Sequence, residues 1–266
     1  MIYDKHDRLA DQMASYVTAI KRGSAYDNHK IQSNLSALGF YTGPINGDLS
    51  SEVTRRAISN FQKVYGLNPT DGNANTSFRR KLNEAVSVYE NVITNPSMPE
   101  LANNSKMQFD YNQIHNFAKV WTFLNVSMGL NTKQIAGVMG NMHAESGFYP
   151  TNAENNYYPG KHNPEYVYST TDRVGYGLIQ WTDKTRKQGL LNEAIQMGLD
   201  VSDLNAQLAF FRKEMLRDYS GTWNKIKKAA TVQDASDIFL EKIEKPKIRN
   251  YAQRREYSDI IYAAFS

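Results

Sequence analysis

The sequence predicts a mainly α protein made of two parts. Apolar residues recur at helical spacing along most of the 266 residues. Glycine-rich turns separate these stretches in the first part, and a segment rich in proline, asparagine and serine divides the chain. We therefore expect a small helical domain over 1–93, a linker over 94–106, and a second α domain with a short β element over 107–266.

The first domain is predicted to hold a leading helix and then three short helices around one core. The leading helix covers residues 5–21, where the apolar residues share one face. The second of the three short helices is expected to follow Ser50 or Ser51, and glycines after the first two suit their ends. The predicted inward residues are Ile31, Leu35, Leu38, Val53, Ala57, Phe61, Val64, Phe78, Leu82 and Val86.

The order of parts in this first domain is more specific than its helical content. A helix, the stretch "LGFYTGPINGD", a second helix and the stretch "AISNFQKVYGL" follow one another. This order resembles the peptidoglycan-binding domain found beside many cell-wall hydrolases, over about residues 28–88. The stretch "NPTDGNANTSF" departs from the pattern that usually precedes the third helix. The resemblance implies peptidoglycan as the ligand, whereas the residues alone also fit an unrelated helical bundle.

The second domain places a glutamate at the end of a buried helix face. Ile114, Phe117, Trp121, Leu124 and Met128 predict a first helix over 112–129. Asn131 then suits an N-cap, with Gln134 three residues later as in a capping box. The apolar face of the next helix leads by helical spacing from Met142 to Glu145, and Gly147 suits the helix end.

This position favours a neutral carboxyl at Glu145. An apolar environment disfavours the ionised form, and so does the negative end of the helix dipole. A carboxylic acid that stays protonated near neutral pH is the group that a general acid requires. The alternative is a glutamate that turns into solvent after the last helical turn.

A second motif, "GYGLIQWT", follows about thirty residues later and predicts a short strand after two glycines. On one side of a cleft it would present Tyr176, Gln180 and Trp181 to a substrate. Aromatic faces stack on sugar rings, and amides bond hydroxyl and N-acetyl groups. Taken alone this signal is weak, because strands flanked by glycine are common.

The two motifs together resemble the goose-type lysozyme and lytic transglycosylase superfamily. "GVMGNMHAESGF" and "GYGLIQWT" are most similar to its phage-tail-type lysozyme branch, with a resemblance from about Gln113 to Arg217. It implies a lysozyme-like fold with Glu145 as catalytic acid and with four substrate-binding residues, Ser146, Tyr176, Gln180 and Trp181. Ser146 is expected to support the acid through a bond to the substrate or to the helix end. The tyrosine-asparagine motif of many transglycosylases is not evident in this sequence.

A second acid would decide the chemistry, because an inverting hydrolase needs a base that activates water. A lytic transglycosylase needs none, because the C6 hydroxyl of the substrate attacks. The candidates are Glu154, Glu165, Asp172 and Asp183. We favour Asp172, whose place before the second motif resembles that of an aspartate in goose-type lysozymes. The alternative is a loop aspartate that pairs with Arg173 or is solvated.

Other kinds of site find little support. The chain has no cysteine, and its five histidines show no metal-ligand spacing, so neither cofactor nor metal is expected. His143 lies two residues before Glu145, a spacing that turns the two side chains to different helix faces. No histidine-aspartate pair is placed to activate Ser146 as a nucleophile. Near the C-terminus the basic residues suit either anionic wall polymer or solvent: Lys242, Lys245, Lys247, Arg249, Arg254 and Arg255.

The expected function is hydrolysis of the β-1,4 bond between N-acetylmuramic acid and N-acetylglucosamine by an endolysin or tail-associated lysin. The alternatives are a lytic transglycosylase and a non-catalytic wall-binding or phage structural protein. Peptidoglycan is the expected partner; the net charge of +4 brings no nucleic-acid signature with it, and no membrane span is apparent. Because no signal peptide is evident, we expect cytoplasmic synthesis and action after phage- or holin-dependent release, or within the virion.

Overall fold

The computed structural model describes residues 27–154, 162–246 and 249–266, and in these ranges the chain forms eleven α-helices and no strand. The mainly α class is therefore confirmed, while the leading helix predicted at 5–21 lies outside the described residues. In chain order the helices are α1 Asn28–Ala37, α2 Glu52–Val64, α3 Thr76–Ile93, α4 Met98–Asn103, α5 Tyr111–Thr122, α6 Thr132–Ser146, α7 Lys184–Met197, α8 Leu204–Arg217, α9 Ser220–Ile226, α10 Val232–Phe239 and α11 Tyr251–Phe265.

Helices α1 to α3 pack around one small core, as the apolar spacing predicts. Ser51 caps α2 by accepting from the backbone N–H of Thr54. Nine of the ten predicted inward residues are buried, and Val53 is the exception at 52 % exposed. Thr54 is buried in its place because it lies three residues before Ala57 on the apolar face, where its hydroxyl accepts from Gln32 at 3.1 Å.

Two buried glutamines hold the turns of this three-helix part. Gln32 of α1 accepts from the backbone N–H groups of Asn46 and Gly47 at 2.9 and 2.7 Å. Gln62 of α2 accepts from the N–H of Gly72 at 3.0 Å and donates to the carbonyl of Asn73 at 3.0 Å. Each amide replaces hydrogen bonds that the turn loses on leaving solvent, so each loop has one fixed shape.

The segment predicted as a linker, 94–106, contains the short helix α4. Its Met98, Leu101 and Ala102 are buried, and it packs against α11. The prolines and asparagines that predict a linker lie at the ends of this packed helix and next to it. The predicted boundaries at 93 and 107 stay a prediction.

The three-helix part also packs directly on the rest of the chain. The amide of Asn60 donates to the carbonyl of Met197 at 3.0 Å, and Ser127 donates to the carbonyl of Val64 at 2.7 Å. The carboxylate of Glu193, only 2 % exposed, pairs with Lys63 at 2.8 Å. These contacts join α2 to the helices that follow the predicted linker.

Helix α6 lies at the centre of the second part and begins with the predicted capping box. Asn131 accepts from the N–H of Gln134, whose side chain accepts from the N–H of Asn131. Two glycines let neighbouring helices approach its backbone closely. A Cβ at Gly137 would lie 2.7 Å from backbone atoms of α10, and one at Gly140 would lie 2.6 Å from the backbone nitrogen of Ser258 in α11.

In the described ranges, two single-turn π-helices continue α-helices. Phe123–Ser127 continues α5, and Leu240–Glu244 continues α10. Such turns are frequent at functional sites because the extra residue redirects the side chains that follow. The second of them brings Glu244 to the region where α6 ends.

The predicted strand in "GYGLIQWT" is wrong. Within the described residues this stretch forms a tight loop. Tyr176 and Trp181 exchange backbone hydrogen bonds at 3.2 and 2.9 Å, and the N–H of Gln180 donates to the carbonyl of Gly177 at 3.1 Å. The chain turns at Gly177 (φ +78°) and Gln180 (φ +51°), so too few extended residues remain to continue a ladder. The short β element reduces to isolated bridges.

Gly140→Ala is expected to destabilise the protein because its Cβ would overlap the backbone of α11. Overpacking costs about 1–3 kcal/mol, and the better helix propensity of alanine offsets about 1 kcal/mol of that cost. Because the clash is with backbone, which cannot move aside, we expect a net loss of about 2 kcal/mol. Urea unfolding measures this change. The matched control is Gly221→Ala in α9, whose Cβ would meet nothing within 4 Å. Equal stability of both variants would contradict the close helix contact.

Candidate active site

Glu145 lies in the last turn of α6, and the chain after it is held in a fixed path. Gly147 ends the helix with φ +58°, and Phe148 follows with φ +67°, a conformation that costs energy for a residue with a side chain. The amides of Gln113 and Asn116 on α5 hold this turn by donating to the carbonyls of Gly147 and Phe148 at 2.8 and 3.0 Å. The position of Glu145 is therefore set from both sides.

The carboxylate of Glu145 meets an arginine. Nη2 of Arg254 donates to Oε1 of Glu145 at 2.5 Å, and the two side chains are 9 % and 16 % exposed. Arg254 also donates to Oδ1 of Asn141 at 3.3 Å. The sequence predicts apolar surroundings for this carboxyl, whereas the structure places a guanidinium in contact with it. Sequence reasoning missed Arg254, which it grouped with solvent-facing basic residues.

A second carboxyl lies near this pair. The Oε1 atom of Glu244 is buried, although part of the residue reaches the surface. Burial raises the pKa of Glu244 well above its ordinary value of 4.5, and the negative charge of Glu145 raises it further. Arg254 and Arg186 act in the opposite direction with less effect. Glu244 lies 99 residues after Glu145, and no local pattern identified it.

Trp181 belongs to the interior and not to an open wall of the site. Its side chain is fully buried, it packs against Phe210, and its indole N–H donates to Glu214 at 3.1 Å. Glu214 in turn accepts two hydrogen bonds from Arg186, at 2.5 and 2.9 Å. The prediction that the face of Trp181 stacks on a sugar is therefore wrong for this structure, because no face of the ring is accessible.

Ser146 joins the end of α6 to the second motif. It is fully buried, donates to the carbonyl of Leu178 at 3.0 Å and accepts from the N–H of Phe148 at 3.2 Å. Of the two supporting roles open to it, contact with substrate or with the helix end, the structure gives it the second. Burial in this network leaves no room for direct contact with a sugar.

The loop of the second motif is held by polar residues from two other elements. The side chain of Gln207 in α8 accepts from the N–H of Leu178 at 2.8 Å and donates to Pro150 and Val201. Asn152 accepts the N–H of Gly177 at 2.8 Å on its carbonyl, and its amide donates to the carbonyl of Glu145 at 3.0 Å. The loop and the acid are thus fixed to each other.

Gln180 is half-buried, and its amide nitrogen donates within the loop, to the carbonyls of Asn152 and Gly177. Tyr176 is 4 % exposed and packs against Tyr166 and Tyr168. Of the four residues predicted to contact substrate, Gln180 is the one whose side chain reaches the surface. The other three support the loop from inside.

Asp172 is tied to a buried lysine. Nζ of Lys187, fully buried, donates to Oδ1 of Asp172 at 2.5 Å, and Tyr166 donates to Oδ2 at 2.6 Å. Partial burial works against the charge, but these bonds outweigh it and hold the pKa of Asp172 below its ordinary value of 3.8. The partner is Lys187, and not Arg173 as the sequence alternative suggests.

The remaining candidates for a second acid have other contacts. Asp183 caps α7 by accepting from the N–H groups of Thr185 and Arg186. Glu154 accepts from the N–H of Gly175 at 3.3 Å, and Glu165 is exposed. Asp183 and Glu154 thus serve a helix end and a loop, and none of these three carboxyls is among the charged groups that act on Glu244.

His143 is a packing residue. It is 1 % exposed, and its ring lies against those of Phe109, Phe148 and Tyr257. In the part of the chain that the structure describes, no three histidine, aspartate or glutamate side chains are grouped so that they could hold a metal ion. Glu145 and its neighbours therefore form the candidate site through carboxyl and guanidinium groups.

Two family models match the chain. The family model for phage tail lysozyme matches residues 115–265, which is more than half of the chain. A second model, for a peptidoglycan binding domain, matches residues 26–82. No curated protein matches the chain. The first match extends beyond Arg217, where the resemblance to the motifs ends, and so includes both Glu244 and Arg254.

Asp172→Asn is expected to lower the stability because it leaves the buried charge of Lys187 without its partner. The expected loss is about 1–3 kcal/mol at neutral pH. Since the pKa of Asp172 is lower in the folded protein, its stabilisation is complete above pH 3.8 and is lost as the pH falls further. Urea unfolding at several pH values should therefore show a difference that shrinks in acid.

The control for this variant is the pair Asp172→Asn and Lys187→Met. Once the buried charge is gone, Asp172→Asn should cost far less, so the two substitutions should not be additive. Additive losses would mean that Asp172 and Lys187 contribute independently.

Proposed function

The chain belongs to the phage tail lysozyme family and is a cell-wall lytic enzyme, and from this membership we propose a specific reaction. The proposal is that it cleaves the β-1,4 bond between N-acetylmuramic acid and N-acetylglucosamine, with Glu145 as general acid. The observation that carries it is the placement of Glu145 at the end of α6, fixed against the loop of the second motif. Peptidoglycan is the partner, as the peptidoglycan-binding match also supports.

General acid catalysis needs a carboxyl whose proton reaches the leaving oxygen. Glu145 satisfies the positional part of this requirement, because its side chain is held yet 16 % exposed. Backbone bonds on both sides of it limit its movement, and such positioning lowers the entropy cost of reaching the transition state. Gln180, half-buried in the loop of the second motif, is the remaining candidate for a substrate contact.

Whether water or the C6 hydroxyl of the substrate attacks the anomeric carbon depends on whether a base activates water. In the hydrolase proposal Asp172 positions water, and its 29 % exposed carboxylate is ionised as a base must be. Its lowered pKa makes it a weak base, however, and its bonds to Lys187 and Tyr166 already occupy both oxygens. This observation favours a second candidate, lytic transglycosylase chemistry, in which Glu145 acts as both acid and base.

The first domain is proposed to keep the enzyme on the wall. Its three helices pack directly on the catalytic part, so wall contact and cleavage occur on one rigid body and not on a flexible tether. We also propose action on the wall after phage-dependent release, or as part of the virion. In the described ranges, no helix has the length and apolar content needed to cross a membrane.

Glu145→Gln keeps the size of the side chain and removes its titratable proton. General acid catalysis is worth about 10²–10⁴-fold, so we expect a loss of that order in the release of soluble fragments from purified peptidoglycan. Glu256→Gln on α11, at an exposed ion pair with Lys106, is the matched control and should keep the full rate. A Glu145→Gln enzyme with unchanged rate would exclude this residue as the acid.

Mass spectrometry of the released fragments separates the two reactions. If water attacks, the muramic ends are reducing and gain two hydrogens with borohydride. If the C6 hydroxyl attacks, the ends are anhydro sugars, lighter by one water and unchanged by borohydride. The hydrolase proposal predicts the first result, and Asp172→Asn should then reduce the rate; anhydro ends would overturn it in favour of the transglycosylase.

A further inference from the structure

The charged groups around Glu145 do not balance. Arg254 pairs with Glu145 at 2.5 Å, and Arg186 pairs with Glu214 through two bonds. Glu244 is the third carboxyl of this group, and both arginines act on it at longer range. Three carboxyls therefore face two guanidiniums. Surplus negative charge on partly buried carboxyls is costly, and so the site favours one retained proton.

Two polar atoms in this cluster are not satisfied. In the described ranges neither Oε1 of Glu244 nor Nε of Arg254 has a hydrogen-bond partner, and both are buried. Oε1 of Glu244 can accept a hydrogen bond and Nε of Arg254 can donate one. The charges of these two side chains interact. Buried unsatisfied groups are rare and call for a reason. Here each offers the partner that the other lacks.

We propose that Glu244 is a positioning residue that shares one proton with Glu145 across Arg254, which allows Glu145 to be protonated when substrate is bound. The proposal rests on the assignment of Glu145 as the general acid. It assigns a task to the buried carboxyl and to the unsatisfied nitrogen of Arg254. It also explains how an acid in contact with an arginine can carry a proton at all.

The proton balance is as follows. In the resting enzyme Glu244 holds the proton and ionised Glu145 pairs with Arg254. When Glu145 takes the proton, Glu244 becomes the carboxylate, and Nε of Arg254 is available to it. Glu145 then gives its proton to the glycosidic oxygen as the bond to the anomeric carbon breaks. The attacking hydroxyl, of water or of the substrate, releases one proton, which restores the pair.

The charged groups that act on Glu244 come from four different helices. They are Glu145 on α6, Arg186 on α7, Glu214 on α8 and Arg254 on α11. Glu214 is bound by Arg186 and by the indole of Trp181, so its charge is compensated. Arg254 therefore acts on two carboxyls: it pairs with Glu145, and its charge interacts with that of Glu244.

The first test is the pH profile of Glu244→Gln on purified peptidoglycan. Without a second carboxyl, protonation of Glu145 would leave Arg254 uncompensated, so Glu145 should be protonated only in more acid solution. We expect kcat/KM to fall about tenfold or more near pH 7 and to approach the parent rate in more acid solution. The basic limb of the profile should move to lower pH.

Glu241→Gln provides the matched control. Glu241 lies in the same single-turn π-helix, three residues earlier, and its carboxylate accepts from Tyr251. It should keep the parent profile. A Glu244→Gln enzyme that loses the same factor at every pH, or none at any pH, would overturn the proposal, because a structural role alone moves no pH limb.

Stability gives a readout independent of activity. The raised pKa means that folded Glu244 binds its proton more tightly than the unfolded chain, so its burial costs more stability as the pH rises from about 4.5 towards the raised value. Glu244→Gln removes this cost, and its thermal midpoint should match or exceed that of the parent above pH 7. A lower midpoint would indicate that Glu244 serves packing and would overturn the proposal.

The Glu145→Gln variant separates the two ways to fail. If it retains the full rate, the assignment of the acid is wrong and the inference about Glu244 fails with it. If it is inactive while Glu244→Gln keeps the parent pH profile, the proposed function stands and the shared proton alone is excluded.

Discussion

The contact between α6 and α11 at Gly140 is the constraint on which the site depends. Only a hydrogen atom separates the backbone of α6 from that of α11 at this point, since a Cβ would lie 2.1 Å from Oγ of Ser258. Arg254 begins the same turn of α11 as Ser258 and reaches Glu145 because the two backbones are so close. A wider spacing would leave the guanidinium short of the carboxylate. The ion pair between Arg254 and Glu145 therefore depends on Gly140, which has no side chain to hold the two helices apart.

Loops in this protein are shaped by buried amides more than by β-pairing. Gln32, Gln62 and Gln207 each bond the backbone of a loop from a neighbouring helix, with donor and acceptor used together. An amide in the interior is stable only when its bonds are satisfied, so it tolerates a single loop shape. The loop of the second motif gains its rigidity in this way, which explains why it needs no strand.

The sequence predicted what depends on neighbouring residues. Helical spacing gave α1 to α3 and α6, and the bond pattern of Asn131 and Gln134 was confirmed as a capping box. Prediction from the sequence failed for side chains whose contacts are distant in the chain. The pairing of Arg254 with Glu145 spans 109 residues, and no local pattern distinguishes that arginine from Arg255 beside it, which pairs with Asp237 at the surface.

The same reason explains the wrong inference about Trp181. Its residue type binds sugars, but the sequence cannot show which side of a loop faces the interior, and its ring is buried. The bonds of the second motif fix its loop to the end of α6, where Ser146 donates to the carbonyl of Leu178. A residue of such a motif can therefore act by holding the loop, without contact with a ligand.

Contact with a guanidinium generally favours the ionised form of a carboxyl, which works against the role proposed for Glu145 as an acid. The conflict disappears when the arginine has a second carboxylate to serve. Burial of Glu244 destabilises the fold to a degree that grows with pH, and apolar residues would fill the same space without that cost. A site that accepts this cost gains a proton that can be moved at neutral pH, in the place where the leaving oxygen needs it.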